Sequence, residues 1–164
     1  MNGSSLKSGL RALRSASFGA LKTCGISAAV AASKWRRDRL LILCYHGISI
    51  ADEDRWLPRT YMPQAALRAR FQLIKDFGCS VLALSEAVER LYSGSLPPQA
   101  VAITFDDGGL DFYLRAMPVI REFGFSATVY QTTYYSDFPR PIFNLACSYM
   151  LWKSRDRALA PDPA

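Results

Sequence analysis

Residues 40–45 (Leu-Leu-Ile-Leu-Cys-Tyr) form a short, uninterrupted apolar run. A run of that length, apolar on both faces, predicts a strand buried in a parallel sheet. A polar loop follows, with Asp52, Glu53 and Asp54 clustered in it. Pro63 then opens a helix predicted over 63–77, with Leu67, Phe71 and Ile74 on its inner face and Gly78 as its stop. Residues 80–84 read as a second strand. Ser85 is placed to cap a helix over 85–92, with Val88 and Leu91 inward. A turn-rich segment, 93–99, leads into a strand at 100–105. A helix over 109–123 comes next, kinked at Pro118 and stopped by Gly124. Residues 127–132 predict another strand. A loop with Pro139 and Pro141 precedes a last helix, 142–154. Strand and helix alternate without an internal repeat, which predicts an α/β fold with a parallel sheet.

The first 34 residues follow a different pattern. Leu6, Leu10, Leu13, Leu21 and Cys24 recur at helical spacing beside Lys7, Arg11, Arg14 and Lys22. Three readings stay open: a basic amphipathic helix on an anionic membrane surface, a helix packed on the domain behind it, or a signal peptide with its apolar stretch at 26–32. Charge sharpens the division. Residues 1–39 hold eight Lys or Arg against Asp38 alone, whereas residues 40–164 hold twelve basic and thirteen acidic residues. The net charge of +6 therefore belongs to an arm, and the remainder lacks the basic surface of a nucleic-acid-binding domain. The expected organisation is a basic amphipathic helical arm at 1–39, a domain at 40–153 and a tail at 154–164.

With 164 residues, half of them hydrophobic and 21% charged, the chain has the size of one domain and the composition of a folded one. No run of 18 apolar residues is present. Cys24, Cys44, Cys79 and Cys147 form no CxxC pair and His46 is the single histidine, so a structural zinc site has no support. The cysteines, Cys44 among them, are read as reduced packing residues.

Candidate chemistry concentrates at Thr104-Phe105-Asp106-Asp107-Gly108, where a buried strand ends and a helix begins. Active sites of parallel α/β folds lie at that strand edge. Two adjacent carboxylates repel one another, and a cation would relieve the repulsion; one acid could then ligate a metal while the other takes a proton from water. The alternative is that Asp106 or Asp107 caps the next helix. Gly108 permits a sharp exit from the strand. Tyr45-His46-Gly47 closes another predicted strand, which puts His46 on the same rim if both strands share a sheet; a structural histidine is the alternative. Tyr130, Tyr134, Tyr135 and Phe138 could stack on sugar rings, but ordinary packing of an aromatic loop is the favoured reading.

Three stretches together resemble the polysaccharide deacetylases of the NodB-homology family, carbohydrate esterase family 4. They are Leu41–Ile48 (LILCYHGI), Val101–Gly108 (VAITFDDG) and Met117–Thr133 (MPVIREFGFSATVYQTT). The resemblance runs from about residue 40 to 153 and implies the first half of a distorted (β/α) barrel. It implies metal-dependent hydrolysis of N-acetyl groups, a non-peptide C–N bond, on amino-sugar polymers such as chitin oligomers, peptidoglycan or exopolysaccharide. Asp106 would be the catalytic base and Asp107 a ligand of a divalent metal, usually zinc, with Tyr45, His46 and Gly108 at the pocket rim. The family's second motif, His-Ser/Thr-x-x-His, supplies the other metal ligands, and no histidine follows His46 here. One carboxylate is a poor trap for zinc. The resulting expectation is a truncated deacetylase domain that holds metal weakly and is inactive alone. The alternative is a non-catalytic, glycan- or partner-binding remnant of the fold. A dehalogenase-type phosphatase needs Asp-x-Asp, and a response-regulator receiver needs an acid at the end of the later strand; neither pattern is present. The expected location is cytoplasmic or peripheral to the inner membrane through residues 1–39, with export left open and no nucleic-acid partner.

Overall fold

The two apolar runs at 41–45 and 100–105 lie side by side. In the computed structural model, which describes residues 33–138 and 140–156 together with Gly25, Ala29 and Val30, β5 (Ala100–Phe105) is the central strand and all six of its residues are buried. Strand β1 (Leu41–Tyr45) pairs with it in parallel from Leu41↔Val101 to Tyr45↔Phe105. On the other flank, β4 (Ser80–Leu82) pairs with the first half of β5, and β6 (Thr128–Val129) pairs with its last two residues. Every pairing is parallel, as the alternation of elements predicts. A separate two-stranded ribbon joins β2 (Gly47–Ile48) to β3 (Tyr61–Met62). The amphipathic helix expected at the N-terminus lies, apart from a short turn α1 (Lys34–Arg37), outside the described residues, as do Cys24 and residues 157–164.

Helix α3 (Gln64–Asp76) starts after Pro63, whose fixed φ suits the cap position, and buries Leu67, Phe71 and Ile74. Those three side chains join Tyr45 and Phe105 in one buried core rich in aromatic rings. Tyr45 stacks on Phe105 with ring centroids 5.3 Å apart, Phe71 meets Tyr45 edge-on at 6.2 Å, and Phe112 meets Phe105 at 5.0 Å. Each fully buried ring of this kind contributes about 1.5–3 kcal/mol over its exposed state. Outside the core, Arg68 clamps Glu122 through two parallel hydrogen bonds, tying α3 to α5 (Met117–Phe123).

Several expectations are corrected. Helix α4 (Leu84–Tyr92) begins one residue early, at Leu84 after the cap Ala83, and Ser85 makes no capping bond. Ala87 is its buried residue, while Leu91 is exposed. The helix lies against β5, and the side chain it buries fully is the small Ala87. The strand expected over 127–132 is only β6, because β5 ends at Phe105 and leaves nothing further to pair with; Tyr130 N–H still donates to the Phe105 carbonyl. The kink expected at Pro118 takes the form of a wide π turn at Phe112–Ala116 just before α5. Pro118 has no N–H to offer the Leu114 carbonyl, so the turn before it loosens. Gln64 Nε2 donates to the Arg115 carbonyl at 2.8 Å in that turn. Gly124, at φ +65°, ends α5 as expected. Short helices α2 (Glu53–Trp56) and α6 (Thr133–Asp137) occupy what reads as loop, and α7 (Phe143–Ser154) closes the described chain. No helix among the described residues is long and apolar enough to cross a membrane.

Candidate functional site at the carboxyl edge of the sheet

Because Tyr45 pairs with Phe105, the next residues of the two strands, His46 and Asp106, leave the sheet together. Asp106 N–H donates to the Tyr45 carbonyl at 2.9 Å, which carries the ladder one residue past β5. Side chains alternate along a strand, so Cys44, His46, Thr104 and Asp106 share the face opposite Tyr45 and Phe105. His46 Nε2 lies 3.7 Å from Asp106 Oδ2, and the Cys44 thiol donates to the same oxygen at 3.2 Å. Partial removal from water, and then the Asp106 carboxylate beside it, push the Cys44 thiol up from its ordinary value. The thiol therefore stays protonated and able to donate.

The chain then turns sharply. Asp107 and Gly108 are both left-handed, at φ +71° and +62°. Aspartate tolerates that conformation better than most residues, and a Cβ at Gly108 would run into the Gln131 side chain. Thr132 N–H donates to the Asp107 carbonyl at 3.3 Å, so the chain after β6 pins the turn. Neither Asp106 nor Asp107 caps a helix among the described residues: the turn that follows starts at Asp111 with no side-chain cap.

These residues border a cleft of about 470 Å³. His46, Asp106, Asp107 and Gly108 line it, together with Asp111, Tyr135 and Arg140. Four of the five expected site residues are thus brought together. Tyr45 is not: its ring is buried in the core, and only its backbone touches the site. Alternation explains the correction, since a residue between Cys44 and His46 must face the other way. Cys44 is also corrected, from a packing residue to an exposed one beside Asp106. Tyr130, Tyr134, Tyr135 and Phe138 are exposed; Tyr134 packs against Tyr135 and Phe138 within one short segment, and Tyr135 lines the cleft.

Asp111 went unrecognised in the sequence. Its carboxylate accepts the Ile48 N–H at 2.7 Å and ties the β2–β3 ribbon to the turn that lines the cleft. Burial pushes its carboxyl above the usual range, against the pull of that hydrogen bond. A lone acid at the start of a predicted helix looks like ordinary surface, and nothing local announces its distant partner.

The metal implied by the resemblance needs Asp107 and two histidines. His46 is the single histidine of the chain. Among the described residues, those whose ligating atoms gather within 4.8 Å are Cys44, His46 and Asp106, and Asp107 is not among them. The residues of this chain do not fit that metal set.

No protein-family model matches the chain. It is 34% identical over 93 residues to YxkH of Bacillus subtilis (strain 168), a protein bearing the polysaccharide deacetylase name; the match covers 56% of this chain and 31% of that protein. It is 28% identical over 101 residues to the poly-beta-1,6-N-acetyl-D-glucosamine N-deacetylase of Escherichia coli (strain K12), covering 60% of this chain and 14% of the enzyme. The chain thus spans a third or less of the curated relatives it matches. Among solved structures, the Streptococcus pyogenes deacetylase PplD, in complex with acetate, superposes with a TM-score of 0.50 at 29% identity, over 55% of this chain and 41% of PplD. A de-N-acetylase from Aggregatibacter actinomycetemcomitans shares the fold at a TM-score of 0.53 and 24% identity, over 61% of this chain and 40% of its own. Across roughly 55–60% of its length, the chain is similar in sequence and in α/β, parallel-sheet fold to polysaccharide deacetylases.

Proposed function

We propose that residues 40–153 carry the proton-handling half of a polysaccharide deacetylase-like site, which recognises the acetamide of an N-acetylated amino-sugar polymer. The observation that carries this reading is the Asp106–His46 pair, 3.7 Å apart at the wall of an open cleft. A carboxylate and an imidazole so placed can divide the proton work of amide hydrolysis. Asp106 takes a proton from a water molecule as its oxygen bonds to the acetamide carbon. In a site completed by the missing ligands, the C–N bond would then break, the amine would leave with a proton returned through this pair, and acetate would be released. The family resemblance assigns Asp107 to a divalent metal, usually zinc, which in a catalytic site takes three protein ligands. This chain offers one of that set, so turnover by the chain alone is expected at or near the uncatalysed rate, and glycan binding is the property left to test.

A second reading has its own observation. Tyr135 lines the cleft, and Tyr134 and Phe138 beside it are exposed. Aromatic faces of this kind stack on sugar rings, which suits a non-catalytic glycan-binding module. Calorimetric titration with a chitin oligomer and with its de-N-acetylated counterpart, beside an acetate-release assay, separates the cases. The expected result is binding that prefers the N-acetylated form, weakens in D106N and yields no acetate above background. Acetate release abolished by D106N would overturn the inactivity of the chain. Equal binding of both forms, lost in Y135A and unchanged in D106N, would favour the binding module. No binding of either form would overturn both readings.

A further inference from the structure

We propose that Cys44, His46 and Asp106 form a three-ligand site for a borderline-soft divalent metal, separate from the set to which Asp107 would belong. The donors come from two strands by simple geometry. Cys44 and His46 are alternate residues of one strand end, and the parallel register delivers Asp106 beside them. Their ligating atoms all lie within 4.8 Å of one another. A tetrahedral ion with ordinary bond lengths would set sulfur and carboxylate oxygen about 3.6 Å apart, and imidazole nitrogen and carboxylate oxygen about 3.4 Å apart. The observed separations are 3.2 Å and 3.7 Å, within a few tenths of an ångström of both; the third pair, Cys44 sulfur and His46 nitrogen, lies within 4.8 Å, and the exposed His46 ring would close it to about 3.6 Å on binding. Thiolate, imidazole and carboxylate together suit zinc, cobalt or cadmium and disfavour magnesium or calcium. The side of the site bordered by His46 and Asp106 opens on the cleft, which leaves a fourth position to solvent. On binding, the Cys44 thiol loses its proton to solvent and the sulfur takes the metal in its place.

This site does not rest on the hydrolase reading. An ion there occupies the Asp106 oxygen that would otherwise accept a proton, so metal loading and the base role exclude one another.

The test uses the full, reduced chain and the metals alone. Titration with cadmium is followed by the ultraviolet charge-transfer absorbance of a cadmium–thiolate bond. One saturating step at one equivalent per chain is expected. It should vanish in C44S, and affinity should fall about tenfold or more in H46A and in D106N, since even removing a ligand's outer partner costs that much. Circular dichroism of each variant reports whether it has folded. A second measurement needs no variant: zinc should slow alkylation of Cys44 by iodoacetamide, read peptide by peptide, and leave Cys79 and Cys147 unaffected. A charge-transfer step that survives in C44S, or Cys44 alkylation at the same rate with and without saturating zinc, overturns the proposal. Neither experiment contains a glycan, so failure here and failure of the hydrolase reading are separate results.

Discussion

Asp111 shows how a single residue couples the scaffold to the cleft. It is half-buried and accepts the Ile48 N–H, with its carboxyl raised above the ordinary value mainly by burial. A carboxyl raised on folding binds more protons in the folded state than in the unfolded one, so its contribution to stability falls as pH rises. The loss begins near the ordinary aspartate value of about 4 and is complete above the raised folded value. Asp111→Asn keeps an acceptor for Ile48 and removes the titration. Urea midpoints of D111N should therefore decline less than those of the parent as pH rises through that window. Asp111→Ala leaves the Ile48 N–H without its partner and should cost about 1–2 kcal/mol below that window and less above it. An unchanged pH profile in D111N would mean that burial does not shift this carboxyl.

At the scale of elements, two junctions hold the site in shape. The first is the π turn before α5, where Gln64 donates to the Arg115 carbonyl. Gln64→Ala removes that donor from a carbonyl in a loosened turn and should lower stability by about 1 kcal/mol in urea unfolding. The second is the left-handed turn after β5. Gly108→Ala adds a Cβ at positive φ and against Gln131. It should cost about 1–3 kcal/mol and also weaken cadmium binding by displacing Asp106. Stability and affinity both at the parent level in G108A would show that the turn bends without consequence. The helices around these junctions were readable in advance where apolar spacing and a stop residue agreed, as for Leu67, Phe71, Ile74 and Gly78. The inward face of α4 was not, because its buried residue is the small Ala87 while the larger Leu91 is exposed.

For the whole molecule, the notable feature is apolar surface left open among the described residues. Leu41 and Ile42 on β1 are 43% and 49% exposed, although the strand was expected to be covered on both faces. Along α7, Phe143, Met150 and Leu151 are exposed as well. Contiguous apolar surface and an unpaired strand edge both favour association. The purified chain is expected to self-associate in a concentration-dependent way in sedimentation velocity. Ile42→Thr, which keeps a β-branched side chain on the strand, should shift the distribution toward monomer. A parent chain that stays monomeric at high concentration would sink this expectation.

The apolar runs, the helical spacings and the Pro and Gly stops determine an alternating α/β chain, because burial periodicity and backbone restrictions are local properties. They also mark Asp106, Asp107 and His46 as residues at strand ends. Which strands become neighbours is a different matter, set by long-range packing of Phe71, Tyr45 and Phe105. Only that register brings His46 to Asp106 and turns Cys44 from a presumed core residue into their neighbour. The same pairing sends Tyr45 away from the site it was expected to border. A side chain's face depends on its strand's period of two, but the partner it meets there depends on a strand some sixty residues away, which no local pattern encodes.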